Sequence, residues 1–361
     1  MTVHNFLGAH TYDSTREGAR LIGVETASVG KRKPTIRDVA AAAGVSRGTV
    51  SRVINGGHWV SPESRAAVDA AISSTGYHAN HHARSLATGR ADSIAFLLTE
   101  PQHLLFADPT FSILLRGAAQ ALAQRKKALV LLVAGTPEER ANAAHFVGAG
   151  HVDGVLLISS HESDPLLGDL IATGIPTVSC GIPLGRPGEL PTVSVDESGS
   201  ARIMTRYLRE SGRRRIAMIA GPADTPGGRF RLVGFQEELG DDFDAELVEQ
   251  GDYSMESGSV AMERLLERRA DVDAVFAASD LMAAGAMTYL RRVGKRVPED
   301  IAVAGFDDSG LAATLEPALT TMRQPFEHIS EEMVALLLNV IGGGPTKSIM
   351  LPTTLVVRDS T

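Results

Sequence analysis

One stretch near the start of the chain, residues 35–55, constrains the fold more than any other. It opens with Thr35 and Asp38 at a spacing that satisfies free backbone N–H groups at a helix start, and apolar residues follow at helical spacing. Gly44 can take the positive φ that ends this helix and turns the chain tightly. Ser46 is a good N-cap for a second helix, whose apolar residues face the first. The pattern predicts a helix-turn-helix.

The second helix has a polar outer face, made of Arg47, Gly48, Thr49, Ser51, Arg52 and Asn55. Arginine can pair with both acceptors on a guanine edge in the major groove of DNA. We therefore expect base-reading positions at Arg47, Gly48 and Arg52. Specificity would rest on the two arginines, because Gly48 has no side chain to contact a base. The alternative is an ordinary surface helical hairpin.

The residues that follow add a third helix and a basic segment. Ser61 and Pro62 are an N-cap followed by proline at the first helical position, and Gly76 ends the helix. This part of the chain resembles the LacI/GalR (lactose repressor/galactose repressor) transcriptional regulators. The resemblance rests on T-I-R-D-V-A-x-x-A-G-V-S-x-x-T-V-S-R-V-I-N, V-S-P-E-S-R, G-Y-x-A-N and A-R-S-L-x-T-G-R, and it continues to the C-terminus.

The resemblance implies an N-terminal all-α helix-turn-helix domain at residues 34–78, with its motif at 36–55. Residues 1–33 lack a sustained period and helix caps, so we expect a disordered extension. A DNA-reaching arm is the alternative, given the basic triplet at 31–33. Contacts to the DNA backbone supply affinity without reading sequence. The candidates for these contacts are Thr35, Ser46, Thr49, Asn55, Ser61, Tyr77 and Asn80.

A hinge helix is expected at residues 79–90. A helix this short is marginal in water, so we expect it to order only when paired and bound to DNA. Leu86 would then be exposed between Arg84 and Arg90, which suits an apolar wedge for the minor groove. The expected minor-groove residues are Ala83, Arg84 and Leu86. The alternative is that Leu86 packs into an interdomain contact.

Charge is distributed unevenly along the chain. Residues 31–90 carry nine Lys/Arg and three Asp/Glu, a net of +6, whereas the whole chain carries −8. The local excess indicates a nucleic-acid site that the overall charge hides. The single cysteine, Cys180, excludes an intramolecular disulfide. No apolar run reaches the length of a membrane span and we see no secretion signal, so we expect a cytoplasmic protein with no membrane partner.

From Asp92 onward, short apolar runs alternate with amphipathic helices. The runs predict buried parallel strands at 93–98, 128–133, 154–158, 177–180, 216–219, 274–277 and 301–304. Two such sets in succession predict two doubly wound parallel sheets with a cleft between them. The implied fold of residues 91–361 is an α/β two-lobed periplasmic-binding-protein-like domain for effector binding and dimerisation.

The resemblance also implies how the chain is shared between the lobes. Lobe 1 would comprise about 92–182 and 324–346, and lobe 2 about 183–323 and 347–358. The chain would cross between the lobes near 181–187, 321–324 and 347–352. No heptad pattern follows the last strand, so we expect a dimer and no tetramer.

Ligands of doubly wound sheets bind outside the carboxyl ends of the strands. An arginine, an aspartate and aromatic rings in that place suit a polyhydroxylated ligand, because charged groups fix hydroxyls and rings cover apolar sugar faces. The resemblance favours Arg231, Asp307 and Ser279 as polar contacts, and Phe111 and Tyr253 as aromatic walls. Ser279 stands where relatives often have asparagine, and Arg229 where apolar residues are common. Asp280 and Asp308 are expected to cap helices.

Taken together, the resemblance implies a sequence-specific DNA-binding transcriptional regulator. It would be a homodimeric repressor of pseudo-palindromic operator DNA, controlled by a mono- or disaccharide. A corepressor or activator mode, or a purine effector, stays open. A solute-binding protein would need a signal peptide and no basic domain, and a Rossmann-like enzyme would need a phosphate-binding glycine loop or a catalytic constellation.

Two motifs suggest other chemistry. Residues 44–48 match G-x-S-x-G, but that nucleophile elbow needs a strand before the serine, whereas a helix is predicted there. His78, His81 and His82 cluster without a cysteine or acid at ligand spacing, so phosphate contact is favoured over zinc. We therefore expect no enzyme activity, no catalytic residues, no metal site and no cofactor.

Overall fold

The computed structural model describes residues 34–54, 59–77 and 90–361. The chain divides into two compact units, with the boundary between Asn80 and His81. The expected N-terminal extension and all but the last residue of the expected hinge helix lie outside the described residues. So do five candidate DNA contacts, which are Asn55, Asn80, Ala83, Arg84 and Leu86.

The described residues of the first unit form three helices, α1 Ile36–Ala43, α2 Arg47–Ile54 and α3 Pro62–Thr75. Its core takes one fully buried valine from each helix, Val39, Val50 and Val68. Gly44 ends α1 with φ 65°, a conformation that costs glycine little and most residues much more. The turn to α2 is therefore as tight as the sequence predicts.

The second unit contains two six-stranded sheets. Sheet 1 has the strands β1 Ser93–Leu98, β2 Ala128–Val133, β3 Gly154–Ile158, β4 Thr177–Cys180, β5 Thr192–Val195 and β11 Ile349–Leu351, in the order β11-β5-β4-β3-β1-β2. All of its pairings are parallel.

Helices cover both faces of sheet 1. They are α4 Leu104–Ala107, α5 Pro109–Gln124, α6 Pro137–Gly148, α7 Pro165–Thr173 and α12 Phe326–Ile341. Alternate residues of β1 enter different cores, because successive side chains of a strand point to opposite faces. Phe96 packs in a core with α5 and α12, whereas Leu97 packs with α6 and α7. Sheet 1 is thus doubly wound.

Sheet 2 has the strands β6 Ile216–Ala220, β7 Val248–Gln250, β8 Ala274–Ala277, β9 Ala302–Asp307, β10 Thr320–Arg323 and β12 Thr354–Val356, in the order β12-β10-β9-β8-β6-β7. Its pairings are parallel except that β12 runs antiparallel to β10. Its helices are α8 Glu197–Glu210, α9 Pro226–Leu239, α10 Met255–Arg268 and α11 Asp280–Arg292. Helix α8 packs against α9, and α10 against α11.

The lobe limits expected from the sequence need correction. Strands β5 and β11 belong to sheet 1, although both were expected in lobe 2. The first crossing therefore comes at Asp196, after β5, and not near 181–187. T-V-S-V is a short strand with two hydroxylic residues, like T-V-S-C of β4, so its composition gives only a weak signal, and its place in sheet 1 follows from its pairing with β4 and β11. The later crossings lie between β10 and α12 and between β11 and β12.

In the part of the chain that the structure describes, no helix combines the length and apolar character needed to cross a membrane.

Candidate DNA-reading surface and ligand cavity

Helix α2 has one face buried in the core of the first unit and one face exposed. Val50 and Val53 are buried in the core of the first unit, whereas Arg47, Gly48 and Arg52 are exposed. A Cβ at Gly48 would lie 3.6 Å from Ser46 Oγ, an ordinary contact. The three expected base-reading positions therefore share one open surface, and Gly48 leaves a gap in it that a larger residue could fill.

Among the described candidates for contact with the DNA backbone, three lie at the starts of helices and form hydrogen bonds in the first turn. Ser46 Oγ accepts the Thr49 N–H at 3.1 Å, and Ser61 Oγ accepts the Ser64 N–H at 3.2 Å. The Thr35 hydroxyl donates to the Asp38 carboxylate at 2.7 Å. Tyr77 is half-buried against the core of the unit. Contact of these residues with phosphates stays a prediction.

A cavity of about 150 Å³ lies between the two lobes of the second unit. Its walls come from residues at or just beyond the carboxyl ends of strands in both sheets, where ligands of such folds bind. Four of the five expected effector residues line it, namely Phe111, Arg231, Tyr253 and Asp307. Their contact with a ligand stays a prediction, but the structure brings them together.

Arg231 is buried and held in one orientation. Its Nε donates to Glu197 Oε2 at 2.7 Å, and its Nη1 donates to the Ala278 carbonyl at 2.5 Å and lies 3.7 Å from Asp307 Oδ1. The guanidinium lies 3.6 Å from the centre of the Phe306 ring. Burial opposes the charge, but the carboxylates of Glu197 and Asp307 raise the pKa of Arg231 above its ordinary value. The cavity thus contains a fixed cation.

Asp307 ends strand β9 with a positive φ of 114° and is buried beside Arg231. Gln324 Nε2 donates to its Oδ1 at 2.8 Å. Burial raises the pKa of Asp307 well above its ordinary value, against the pull of Arg231, and nearby Asp280 and Asp108 add to the rise. A carboxyl group in this setting can accept a hydrogen bond from a ligand hydroxyl or, when protonated, donate one.

Tyr253 forms an aromatic wall that depends on two glycines. A Cβ at Gly221 would come within 2.5 Å of its ring, and one at Gly227 within 3.0 Å of its hydroxyl. The hydroxyl lies 3.2 Å from Thr225 Oγ1. Burial raises the pKa of Tyr253 to about 12, so the phenol is neutral at pH 7. Phe111, at the start of α5, supplies the second ring.

Ser279 was expected as a ligand contact, and the structure places it elsewhere. It is not among the cavity-lining residues, and its hydroxyl caps α11 by accepting the Met282 N–H at 3.2 Å. The helix-capping role expected for Asp280 is therefore wrong. Its carboxylate accepts from the Thr321 hydroxyl at 2.6 Å and from the Asp308 N–H at 2.7 Å.

Asp308 was also expected to cap a helix, and it pairs instead with two arginines. Its carboxylate accepts from Arg323 at 2.6 Å and from Arg358 at 2.7 Å. Asp280 and Asp308 thus fix the end of β9, which carries Asp307. Their role is to position a cavity residue.

Sequence reasoning missed several polar groups of the cavity. Glu197, Glu100, Gln324, Thr110 and Ser160 all line it. The hydroxyls of Thr110 and Ser160 are buried and have no hydrogen-bond partner within the described residues. Glu197 follows the strand β5 that the sequence did not reveal, so the missed strand concealed the residue. Among the described residues, no group of three or more His, Cys, Asp or Glu is placed to hold a metal ion.

Comparisons with known proteins match both units. Residues 35–80 match the bacterial regulatory proteins of the lacI family, and residues 205–361 match the periplasmic binding protein-like domain. The HTH-type transcriptional regulator CelR of Thermobifida fusca is 46% identical over 336 residues, which cover 91% of this chain and 99% of CelR. The HTH-type transcriptional repressor CytR of Escherichia coli K12 is 32% identical, over 91% of this chain and 96% of CytR.

Two solved structures extend the comparison. A complex of the transcriptional regulator CelR with cellobiose has a TM-score of 0.73 and 44% identity, and covers 91% of this chain and all of that chain (100%). A lac repressor dimer bound to operator and the anti-inducer ONPF has a TM-score of 0.80 and 27% identity, over 91% of this chain and 99% of that chain.

These matches confirm the fold class and the family resemblance drawn from the motifs. They also confirm that the protein is a transcriptional regulator and not an enzyme. The chain belongs to the LacI family of bacterial regulatory proteins.

Proposed function

We propose that this transcriptional repressor acts as a homodimer in the cytoplasm and that a sugar in the interlobe cavity sets its affinity for operator DNA. The observation that carries the sugar assignment is the composition of the cavity. A buried arginine and carboxyl groups share it with two aromatic rings and two buried hydroxyls that have no protein partner within the described residues. This combination suits a ligand with many hydroxyls and apolar ring faces.

The cellobiose complex of CelR supports a disaccharide. That protein shares 44% of its residues with this chain, and its structure covers the lobes that form the cavity. We therefore propose a β-linked glucose disaccharide as the first ligand to test. A purine remains the second candidate from the sequence, but no particular feature of the cavity favours it.

Operator recognition would use two copies of α2. A dimer places the exposed faces of two such helices in successive major-groove half-sites, with Arg47 and Arg52 at the base edges. The lac repressor structure, a dimer on operator, supports this arrangement. The edge strand β2 of sheet 1 is apolar throughout and only partly covered, which suits pairing with a second copy.

Control of DNA binding would follow from differential binding to two lobe arrangements. A ligand that prefers one arrangement shifts the population toward it, and the DNA-reading units of the dimer then hold the operator differently. The hinge residues Ala83, Arg84 and Leu86 would transmit that change by entering or leaving the minor groove. The sugar itself would not touch DNA.

The test measures binding to a duplex from upstream of the protein's own gene, with and without cellobiose, other sugars and purines. We expect tight binding that cellobiose weakens, and an Arg52→Ala variant that loses roughly 1–3 kcal/mol of operator affinity. Binding that cellobiose strengthens would make the sugar a corepressor. A response to purines alone would overturn the sugar assignment, and no binding at low salt would overturn the proposal.

A further inference from the structure

Two charged pairs connect the lobes at one side of the cavity. They join the loop after β3, in lobe 1, to the segment between β6 and the first turn of α9, in lobe 2. The Glu162 carboxylate accepts from both terminal nitrogens of Arg229, at 2.9 and 2.5 Å. His161 Nδ1 lies 2.8 Å from Asp224 Oδ2. We call His161, Glu162, Asp224 and Arg229 the interlobe clasp.

The clasp is anchored on both lobes. In lobe 2, Arg229 Nε donates to the Ala223 carbonyl at 3.0 Å, which aims the guanidinium at lobe 1. The Glu162 N–H donates to the Asp224 carbonyl at 2.8 Å, so a backbone hydrogen bond also spans the lobes. Bidentate pairing of arginine with a carboxylate adds geometric specificity to the attraction. The clasp therefore holds one defined lobe arrangement.

His161 connects the clasp to the cavity wall. Its Nε2 lies 3.2 Å from Oε1 of Glu100, a residue that lines the cavity. Both ring nitrogens thus face carboxylates, and both bonds form only when each nitrogen carries a proton. The hydrogen bond to Glu100 raises the pKa of His161 to about 9, against the effect of burial, so the ring is charged at pH 7.

Access to the cavity depends on how far the lobes part. The polar groups that a sugar would contact are almost inaccessible, with Arg231 5%, Asp307 7% and Glu100 8% exposed. Side chains this little exposed leave a ligand of sugar size little room to reach them in this arrangement, so parting of the lobes should ease its entry. The clasp joins the lobes beside that cavity, so it must break each time the cleft opens.

We propose that the interlobe clasp gates the cavity and sets the rate of ligand exchange more than the equilibrium affinity. In this proposal the clasp makes the same contacts whether the cleft is empty or occupied, so its loss should favour opening in both cases. Entry and release would then quicken together. The gating itself follows from the lobe geometry, whereas its meaning for sugar exchange rests on the proposed function.

The first experiment needs no ligand. Cys180 is the only cysteine, it lines the cavity, and burial raises the pKa of its thiol to about 12. Cys180 is partly buried at the cavity, so its labelling by an aromatic disulfide reagent reports cleft opening as a faster rate and not as an all-or-none signal. We expect Arg229→Gln and Glu162→Gln each to speed labelling by up to about fivefold, the range of an exposed ion pair.

A matched control is available within lobe 2. Arg206 pairs with both carboxylate oxygens of Glu238, at 3.0 and 2.6 Å, and neither residue lines the cavity. Arg206→Gln should leave the labelling rate unchanged. The double variant of Arg229 and Glu162 should label no faster than either single variant, because both remove the same interaction. Equal labelling of the wild type and the clasp variants would overturn the gate.

The second experiment uses cellobiose in stopped-flow binding. We expect Arg229→Gln to raise the association and dissociation rates by similar factors, with a change in Kd smaller than either. A higher Kd with an unchanged association rate would show that the pair stabilises only the occupied state, and would contradict the gate. Absence of cellobiose binding by the wild type would count against the proposed sugar, while the labelling result would still decide the gate.

Discussion

Thr110 Oγ1 is a buried hydroxyl at the cavity that makes no hydrogen bond of normal geometry within the described residues. Burial raises the pKa of the neighbouring Asp108 carboxyl, and the Thr110 hydroxyl only opposes that rise. Leaving a buried hydroxyl unpaired costs free energy, so its replacement by a methyl of the same shape should be neutral or stabilising. Thr110→Val should therefore keep or raise the unfolding temperature. If the hydroxyl contacts the sugar, the same change should weaken cellobiose binding by about fivefold to tenfold, the worth of one hydrogen bond.

A second threonine provides the comparison for this prediction. Thr205 is fully buried in α8 and donates to the Ala201 carbonyl at 2.8 Å. Thr205→Val should leave calorimetric cellobiose affinity unchanged. A Thr110→Val variant that binds cellobiose as the wild type does would remove Thr110 from the ligand contacts, whatever its stability.

At the scale of one helix, Gly48 weakens α2 for no visible packing reason. A Cβ there meets only ordinary contacts, and the residue is not in the left-handed region. Glycine in a helix interior costs roughly 1 kcal/mol relative to alanine. Gly48→Ala should stabilise the first unit by up to that amount in chemical denaturation followed by circular dichroism. A loss of stability would mean that the surface of α2 is more crowded than the described residues show.

The charge of His161, in the loop after β3, predicts how the stability of the protein depends on pH. His161 has a pKa raised from 6.5 to about 9, so the stability it contributes is fully present below 6.5 and is lost as pH rises through about 9. The unfolding temperature of His161→Gln should fall below that of the wild type most at pH 6, and the two should converge near pH 10. The carboxylates of Glu100 and Asp224 face the ring. Burial alone would raise the pKa of Glu100, but its hydrogen bonds with His161 and Ser159 lower it. A constant difference across this range would show that His161 is not a charged partner.

Helices and strands could be predicted from the sequence where a pattern of neighbouring residues was enough to identify them. Thr35, Gly44 and Ser46 predicted the helix-turn-helix because caps and turns depend on neighbouring residues alone. Seven strands were predicted from their short apolar or β-branched runs for the same reason, whereas β11, I-M-L, was placed in a crossing segment. Strand β5 was missed because its assignment depends on pairing with β4 and β11, which the sequence does not display. The sequence did not reveal that Ser279 caps α11 while Asp280 holds the end of β9, because the second role depends on Thr321, far along the chain.

The ligand cavity, too, could be predicted only in part from the sequence. Arg231 and Asp307 were predicted as ligand contacts because the family resemblance favours both positions and each follows a predicted strand. Their mutual distance, and the contribution of Glu197, follow only from the stacking of two lobes built from separated segments. The Arg229 departure from the family pattern could be noticed in the sequence. Its partner Glu162 could not, because it comes from the other lobe.

For the whole molecule, the division into two units with separate cores predicts two unfolding transitions. Cellobiose should stabilise only the second unit, because the cavity lies entirely within it. At a free concentration of one hundred times Kd, the gain is about 2.7 kcal/mol, which corresponds to roughly 4–6 °C for a unit of this size. Operator DNA at saturation should instead raise the transition of the first unit. Differential scanning calorimetry separates these cases, and a shift of both transitions by cellobiose alone would contradict the independence of the two units. Thr110→Val should show a smaller cellobiose shift at the same sugar concentration, since the gain depends on the ratio of concentration to Kd.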